Sequence, residues 1–304
     1  MASRILITGV QGFTGRFLAE ELAAAGYEVF GLAHMPQAEP IPGVVAVHAC
    51  DLADAAGLAK VVDLVRPDMV AHLAAIAFVG HGDVDAIYRT NLIGSRNLLE
   101  ALVYAAAPVR AVLLASSANV YGNSTGGVLS ETTTVAPAND YAVSKLSMEY
   151  MASLYRQRLP LTIVRPFNYT GRGQAESFLL PKIINHVRRG APVIELGNLH
   201  VARDFSDVRM VVKYYRRLLE LPAARGEIYN VCSGKAYTLD EVLALVRTLA
   251  SHPFEVRVNP AFVRDNEVKV LLGDRAKLIA AVGQVDDITL EDTLSWMLND
   301  PASL

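Results

Sequence analysis

The chain has 304 residues, of which 52% are hydrophobic and 19% charged, and its net charge is −3. This composition is typical of a folded globular protein and excludes long disordered segments. The small negative charge lacks the basic footprint of a protein that binds nucleic acid or an anionic membrane. We therefore expect neither among its partners, and the function has to be inferred from local motifs.

The chain starts with MASRILITGVQGFTG, which predicts a strand and a turn. Gly9 and Gly12 interrupt the apolar run early, which is not typical of a signal peptide or a spanning helix. The two cysteines, Cys50 and Cys232, lie in apolar, strand-like segments without metal-ligand spacing. We expect a cytoplasmic protein with structural thiols and no metal.

Six short apolar segments predict strands that are buried on both faces: RILIT, EVFGL, VVAVH, MVAHLA, AVLLAS and LTIVRP. Long helical patterns lie between most of them, including TGRFLAEELAAAG, DAIYRTNLIGSRNLLEALVYAA and YAVSKLSMEYMASLYRQR. This alternation predicts an α/β fold with a doubly wound parallel sheet of the Rossmann type.

After Pro166 the pattern changes to a glycine-containing loop, a helix in FLLPKIINHVRRG, a strand in VIELG and a helix in LDEVLALVRTLA. The segments DVRMVVKYYRRLLEL and IYNVCSG are expected to return to the first domain. We predict a Rossmann domain of residues 1–169 with 204–233, and a smaller α/β domain of residues 170–203 with 234–304.

A glycine triplet, Gly9, Gly12 and Gly15, lies between the first strand and the first helix. Glycine permits a tight turn and close approach of the backbone to a pyrophosphate, while the helix N-terminus offers N–H groups. The motif therefore predicts a dinucleotide cofactor. The loop residues expected to bind it are Gly9, Gln11, Gly12, Phe13, Thr14 and Gly15.

The second strand ends at Ala33 and is followed by His34. A carboxylate there would bind the adenosine ribose and favour NAD, so its absence favours NADP(H). NAD(H) stays possible because no arginine follows the strand to bind a 2′-phosphate. The remaining residues predicted to contact the cofactor, besides Ala33 and His34, are Asp51, Leu52, Leu73, Ala74 and Ala75.

Ser116 and Ser117 end the fifth predicted strand, and Tyr141 and Lys145 lie four residues apart on a predicted helix. With the glycine loop, this ordered set resembles the extended short-chain dehydrogenase/reductase family over almost the whole chain. The resemblance implies that Ser117, Tyr141 and Lys145 are catalytic and that Tyr141 and Lys145 also contact the cofactor. Ser117 is preferred to Ser116 because it lies four residues before Tyr121, as in the family pattern.

The chemistry of these residues predicts proton transfer to a carbonyl oxygen as hydride reaches its carbon. We expect the Lys145 ammonium, together with the positive nicotinamide of the oxidised cofactor, to lower the pKa of Tyr141, and we expect Asn91 to support a nearby backbone or water. Family dehydratases carry an Asp-Glu pair where this chain has Ala118 and Asn119, which disfavours dehydration. Keto reduction fits best, and a 4-epimerase with tightly bound NAD is the alternative.

The segments RPFNYTGRGQAESF, VARDFSDV, YNVCSGKAYTLDEVL and RDNEVKVLLGD resemble GDP-4-keto-6-deoxy-D-mannose reductases, which form GDP-D-rhamnose. A GDP-6-deoxytalose-forming or dTDP-sugar reductase stays open, because AIAFVGHGD does not identify the hexose. The resemblance implies a nucleotide-sugar substrate in the smaller domain and a homodimer through the helices near Asn91 and Tyr141. The implied substrate-binding residues are Ser117, Asn119, Asn168, Gly173, Gln174, Ser177, Phe178, Arg203, Arg264 and Glu267.

Overall fold

The computed structural model describes residues 2–36, 39–77, 83–122, 127–199, 201–262 and 269–300. Its strands are β1 (Arg4–Thr8), β2 (Glu28–Ala33), β3 (Val44–Ala49), β4 (Met69–His72), β5 (Ala111–Ala115), β6 (Val128–Leu129), β7 (Leu161–Pro166), β8 (Asn168–Thr170), β9 (Val193–Leu196), β10 (Ala202–Asp207), β11 (Ile228–Val231), β12 (Ala236–Thr238), β13 (Glu255–Val258) and β14 (Val270–Gly273). Its helices are α1 (Phe13–Ala24), α2 (Ala55–Val65), α3 (Val84–Tyr88), α4 (Ser95–Val103), α5 (Asp140–Ser153), α6 (Leu179–Arg188), α7 (Val208–Glu220), α8 (Leu239–Leu249), α9 (Ala276–Val282) and α10 (Leu290–Leu298).

The larger sheet has seven strands in the order β11-β7-β5-β4-β1-β2-β3, and every neighbouring pair is parallel. Side chains from α1 and α7 cover one face, and side chains from α2, α4 and α5 cover the other. The predicted Rossmann fold and its six strands are confirmed. The strand order reverses between β1 and β4, and ligands of such sheets bind beyond the carboxyl ends of the strands at this point.

The ends of the helices differ in a way that matters for the site. In the described residues, the first turns of six helices are capped by a side chain that accepts a backbone N–H, from Asp54, Asp83, Asn139, Asp207, Thr238 and Thr289. Helix α1 instead follows Gly12, which provides no side-chain cap. The positive end of the α1 dipole therefore faces the crevice without a protein acceptor from its cap residue.

The remaining strands form smaller sheets, one of them in the order β12-β10-β14-β6 with β8 beside β10, and the other a pair of β9 and β13. A separate apolar cluster joins α6, α8 and α10. Leu278 on α9 and Val285 pack on the core of the larger sheet. The predicted domain boundaries stay a prediction. Within the described residues, no helix is long and apolar enough to cross a membrane.

Candidate active site

The glycine loop lies against the end of β4. Gly9 has a φ of +71°, and a Cβ added there would lie 2.8 Å from the Cα of Ala74. A Cβ on Gly15 would lie 2.4 Å from the carbonyl oxygen of Gly9, and Gly12 donates to that oxygen at 3.0 Å. Side chains at these positions would displace backbone. The loop therefore forms a backbone-lined cradle at the uncapped end of α1, which fits the pyrophosphate of a dinucleotide.

The loop after β2 lies beside this cradle. His34 is exposed, and its Nδ1 lies 3.7 Å from an Asp51 carboxylate oxygen. The Gln11 side chain donates to the carbonyl of Met35 at 3.2 Å, and Arg16 Nε donates to the carbonyl of Gln11 at 3.1 Å. Arg16 was not predicted to bind the cofactor, because it lies on α1 and not after β2. The fold thus places the Arg16 guanidinium near the loop after β2, where the sequence itself has no arginine.

The other predicted cofactor residues line the same crevice. Ala33 and Leu52 are buried, whereas Leu73, Ala74 and Ala75 are partly buried. The Ala74 N–H donates to the Thr8 hydroxyl at 3.2 Å, which fixes the β4 end beside β1. The chain after β4 therefore lies against the glycine loop at Ala74, and its contact with a cofactor stays a prediction.

Tyr169 on β8 was not predicted and closes the cradle from the opposite side. Its hydroxyl lies 2.7 Å from the Thr14 hydroxyl, and its ring stacks on Phe13 at a centroid distance of 6.0 Å. Tyr169 also acts electrostatically on Tyr141. A signal for it would have been its place directly after Asn168, in a segment already assigned to substrate binding.

The three predicted catalytic residues lie together. Asn139 accepts the N–H of Ala142 at 2.9 Å and so starts α5, which buries Tyr141 and Lys145 one turn apart. Ser117 lies beside Tyr141, and its hydroxyl lowers the pKa of the phenol. Lys145 Nζ donates to the carbonyl of Ala115 at 2.8 Å, at the end of β5. The arrangement holds a phenol and a hydroxyl together in a position to contact one carbonyl oxygen.

The expected direction of the Tyr141 pKa shift was wrong for the polypeptide itself. Burial raises the pKa of Tyr141 to about 12, although the Ser117 hydroxyl lowers it and Tyr169 raises it. The Lys145 ammonium is not among the groups that shift it, and it donates to the Ala115 carbonyl. Burial also lowers the pKa of Lys145, to about 8. Desolvation therefore sets the direction of both shifts.

Two neighbouring polar residues have structural partners. His72 is buried, with Nδ1 2.7 Å from the Thr8 hydroxyl and Nε2 2.8 Å from the Ser95 hydroxyl. Burial lowers its pKa to about 3, so it is neutral. Asn91 accepts the N–H of Ile76 at 2.9 Å and donates to the Ser144 hydroxyl at 3.0 Å. As expected, Asn91 supports backbone, and it joins the chain after β4 to α5.

Ser116, the other serine at the end of β5, points away from Tyr141. Its hydroxyl donates to Glu149, which forms a buried ion pair with Arg165. Arg165 NH1 in turn donates to the Tyr121 hydroxyl at 3.1 Å. Sequence reasoning missed this network, because its members come from separate segments. This geometry favours Ser117 over Ser116 as the partner of Tyr141.

The predicted substrate residues lie in several settings. Asn119 and Asn168 are partly buried, Ser177 and Phe178 are exposed, and Gly173 occupies a turn with a φ of +77°. The side chain of Gln174 is bonded to the Thr170 hydroxyl at 2.7 Å and to the Tyr169 carbonyl at 3.1 Å, so it stabilises the loop. Arg203 donates to the Ala202 carbonyl at 2.9 Å. Arg264 and Glu267 lie outside the described residues.

Comparisons with known proteins agree with this geometry. Residues 5–232 match the family described as "NAD dependent epimerase/dehydratase family". The chain is 33% identical to a GDP-6-deoxy-D-talose 4-dehydrogenase of Aggregatibacter actinomycetemcomitans, over 92% of this chain and 91% of that protein. It is also 33% identical to a GDP-6-deoxy-D-mannose reductase of Pseudomonas aeruginosa, over 99% and 97%.

Solved structures with the same fold include two with substantial sequence identity. A Burkholderia cenocepacia protein, provisionally named an epimerase, is 51% identical with a TM-score of 0.91 and 97% coverage of both chains. RMD from Pseudomonas aeruginosa, complexed with NADPH, is 31% identical with a TM-score of 0.84 and 98% coverage of both chains. These likenesses span both halves of the chain.

Proposed function

Because the chain belongs to the NAD dependent epimerase/dehydratase family and is therefore a nicotinamide-dependent enzyme of nucleotide-sugar chemistry, we propose that it reduces the 4-keto group of a 4-keto-6-deoxyhexose nucleotide. The proposed reaction converts GDP-4-keto-6-deoxy-D-mannose to GDP-D-rhamnose. The observation that carries the proposal is the buried placement of Ser117, at the end of β5, beside Tyr141.

The catalytic residues have complementary parts in this reduction. The nicotinamide cofactor supplies the hydride that reaches C4. Tyr141 gives its phenolic proton to the C4 oxygen, while Ser117 binds the same oxygen and Lys145 holds the nicotinamide ribose. The high pKa of Tyr141, about 12, keeps the phenol protonated at neutral pH, which is the state a general acid needs. Solvent then restores the proton to Tyr141.

The residues after β5 favour reduction over dehydration. Ala118 is buried and Asn119 is partly buried in the short 3₁₀ turn Ala118–Tyr121. Neither side chain titrates, so these two positions provide no extra acid or base for removing water from C5 and C6. A 4-epimerase with tightly bound NAD is the alternative, favoured by the family's description. It would retain NAD through purification and consume no external reductant.

A second product is possible from the same substrate. The 6-deoxy-D-talose and 6-deoxy-D-mannose configurations differ only at C4, so the face that receives hydride decides between them. The relative from Aggregatibacter actinomycetemcomitans, with the same identity of 33%, favours the talose product. We retain GDP-D-rhamnose as the proposal and GDP-6-deoxytalose as the alternative, with a dTDP-sugar reductase as a further alternative.

We propose NADPH as the preferred cofactor. No carboxylate follows β2, and His34 and Arg16 lie beside the loop where a 2′-phosphate would bind. The RMD structure complexed with NADPH supports this choice. Replacing Arg16 with Gln is expected to weaken NADPH binding at least tenfold and NADH binding less than twofold, measured by nicotinamide fluorescence. Equal losses for both cofactors would contradict the preference.

We also propose that the substrate lies against Asn119, Asn168 and Arg203, with the diphosphate near Gly173, Ser177 and Phe178. Arg203 would bind the diphosphate, because guanidinium groups form charge-assisted bonds with phosphate. The roles of Gln174, Arg264 and Glu267 stay predictions. Replacing Arg203 with Gln should raise KM for the GDP-sugar at least tenfold with little change in NADPH affinity.

A homodimer in the cytoplasm is the proposed state of the protein. The side chain of Tyr150 on α5 is 65% exposed, that of Leu154, directly after α5, is 78% exposed, and that of Ile93, before α4, is 45% exposed. Burying such apolar side chains between two copies would stabilise a dimer through α4 and α5. Light scattering after size-exclusion chromatography should give twice the chain mass. A monomer at micromolar concentration would remove the dimer.

The decisive experiment mixes the purified protein with NADPH or NADH and a panel of 4-keto-6-deoxy sugar nucleotides, and follows nicotinamide absorbance. Oxidation of NADPH with the GDP compound alone, followed by NMR of the configuration at C4, would identify the reaction and the product. Oxidation with none of the compounds would refute the reductase. A Tyr141→Phe variant provides the control for a chemical step on this chain.

A further inference from the structure

Three consecutive residues at the end of β5 face one side of α5. The carbonyl of Ala115 accepts from Lys145, the hydroxyl of Ser116 donates to Glu149, and Ser117 lies beside Tyr141, whose pKa its hydroxyl lowers. Residues 141, 145 and 149 are spaced by four and therefore share a helix face. The position of Ser117 relative to Tyr141 thus depends on the two hydrogen bonds that join the end of β5 to α5.

Glu149 is held by β7, the strand beside β5. Arg165 donates its Nε to one Glu149 oxygen at 2.9 Å and its NH2 to the other at 2.6 Å, and both side chains are 6% exposed. Arg165 also donates to the Tyr121 hydroxyl, which donates to Asn230 at 2.7 Å on β11. This bidentate geometry restrains the carboxylate in both position and orientation.

Stability alone does not account for this buried ion pair. Apolar side chains of similar volume often serve a core equally well or better, because burying two charges costs desolvation energy. The pair lies next to the candidate catalytic residues, because a Glu149 carboxylate oxygen accepts a hydrogen bond from Ser116, the neighbour of Ser117. A role in the geometry and charge of the site explains both facts.

We propose that Glu149, fixed by Arg165, is a positioning residue: it sets the end of β5 against α5 so that Ser117 meets Tyr141, and its negative charge supports the Lys145 ammonium. This inference rests on the proposed function for its catalytic consequence. Its electrostatic part concerns the protein alone. Burial lowers the pKa of Lys145 to about 8, and Glu149 acts against that shift.

The charged and titratable groups around Lys145 come from several elements. Glu149 and Tyr141 lie on the same helix as Lys145. On β4, His72 is neutral, and the charge of Lys145 lowers its pKa. On β7, Arg165 forms the ion pair with Glu149. Removing the carboxylate would therefore withdraw the negative charge and leave the Arg165 cation in place. The lost negative charge and the unpaired Arg165 cation both disfavour the Lys145 ammonium, so the pKa of Lys145 should fall.

The test follows the titration of Lys145 by NMR in lysine-labelled protein, with Lys145→Met used to assign its signal. Glu149→Gln is expected to lower the Lys145 pKa by about one unit, whereas Glu149→Asp, which keeps the charge, should leave it near the wild-type value. The control Glu21→Gln breaks the 2.7 Å ion pair with Arg216 between α1 and α7 and should leave it unchanged. An unshifted Lys145 titration in Glu149→Gln would overturn the electrostatic part, whatever reaction the enzyme catalyses.

The positioning part is tested with the reductase assay. Replacing Glu149 and Arg165 together with Met leaves no unpaired charge in the core and should preserve the melting temperature. We expect this double variant to lose at least tenfold in kcat with little change in NADPH affinity. Wild-type kcat in the folded double variant would overturn the positioning role. If Glu149→Gln alone fails to fold, the double variant still decides the matter. If the wild type reduces no 4-keto sugar, the proposed function fails, while the Lys145 titration still tests Glu149.

Discussion

Replacing Lys145 with Met should make the protein more stable and inactive. Lys145 is 4% exposed, and its ammonium has one hydrogen bond to a main-chain carbonyl, at 2.8 Å. A methionine of similar length would fill the same space without a charge. A residue that weakens the fold and is still required for turnover would be a functional residue.

The size of the gain follows from the lowered pKa of Lys145. Its shift from 10.5 to about 8 means that holding the ammonium in the fold costs about 3 kcal/mol at pH 7. Losing the hydrogen bond to Ala115 offsets about 1 kcal/mol of this. We therefore expect Lys145→Met to raise the free energy of unfolding by about 2 kcal/mol at pH 7.

The gain should depend on pH with a definite sign. Between pH 8 and pH 10.5 the unfolded chain keeps the Lys145 proton that the folded chain has lost, so wild-type stability rises with pH in this window. The variant has no such proton. Its advantage should therefore shrink to roughly zero near pH 9.5.

Urea unfolding of both proteins at pH 7 and at pH 9.5, followed by circular dichroism, measures this difference. Lys213→Met is a matched control, because Lys213 forms a partly exposed ion pair with Asp286 at 2.8 Å. Its replacement should lower the free energy of unfolding by less than about 1 kcal/mol at both pH values. A Lys145→Met protein that is less stable than the wild type at pH 7, or equally stabilised at both pH values, would refute the reasoning.

Three further changes have definite expected outcomes. Tyr141→Phe should lower kcat by roughly 10²–10⁴-fold, measured by steady-state kinetics. Folding and NADPH affinity, measured by fluorescence, should be nearly unchanged. Near wild-type turnover would exclude Tyr141 as the acid. Gly15→Ala places a Cβ 2.4 Å from the Gly9 carbonyl oxygen, so calorimetry should show at least tenfold weaker NADPH binding. Unchanged NADPH binding would argue against the glycine loop as the cofactor site. Asp204, which accepts from the N–H and hydroxyl of Ser233 at 2.8 and 2.7 Å, is fully buried. Asp204→Ala should cost about 2–4 kcal/mol in urea unfolding, and a loss below about 1 kcal/mol would show that the loop rearranges.

Local sequence patterns predicted the parts of the site that lie on one segment. The glycine spacing identified the cradle, because a strand-to-helix turn has few ways to bring backbone close to β4. The spacing of Tyr141 and Lys145 placed both on one helix face, because four residues make about one helical turn. The family pattern selected Ser117, and its contact with Tyr141 agrees with that choice.

Other parts of the site depend on segments far apart in the chain. Tyr169 and the pair of Glu149 with Arg165 carry no local signal, because their partners lie on other strands and helices. Arg16 bonds to the nearby Gln11, and the contact of Gln11 with Met35 brings this segment to the loop after β2. Arg264 and Glu267 stay predictions. Gln174, predicted to bind substrate, uses its side chain to hold the β8 backbone.

The sequence by itself determined the alternation of strands and helices in the larger sheet, the cradle and the chemical identity of the candidate catalytic groups, because periodicity and spacing along the chain encode local structure. Only the tertiary structure decided their ionisation. An ion pair drawn from spacing predicted a lowered pKa for Tyr141, whereas burial raises it to about 12 and lowers that of Lys145 to about 8. Desolvation depends on everything that packs around a group, and no short segment of sequence contains that information.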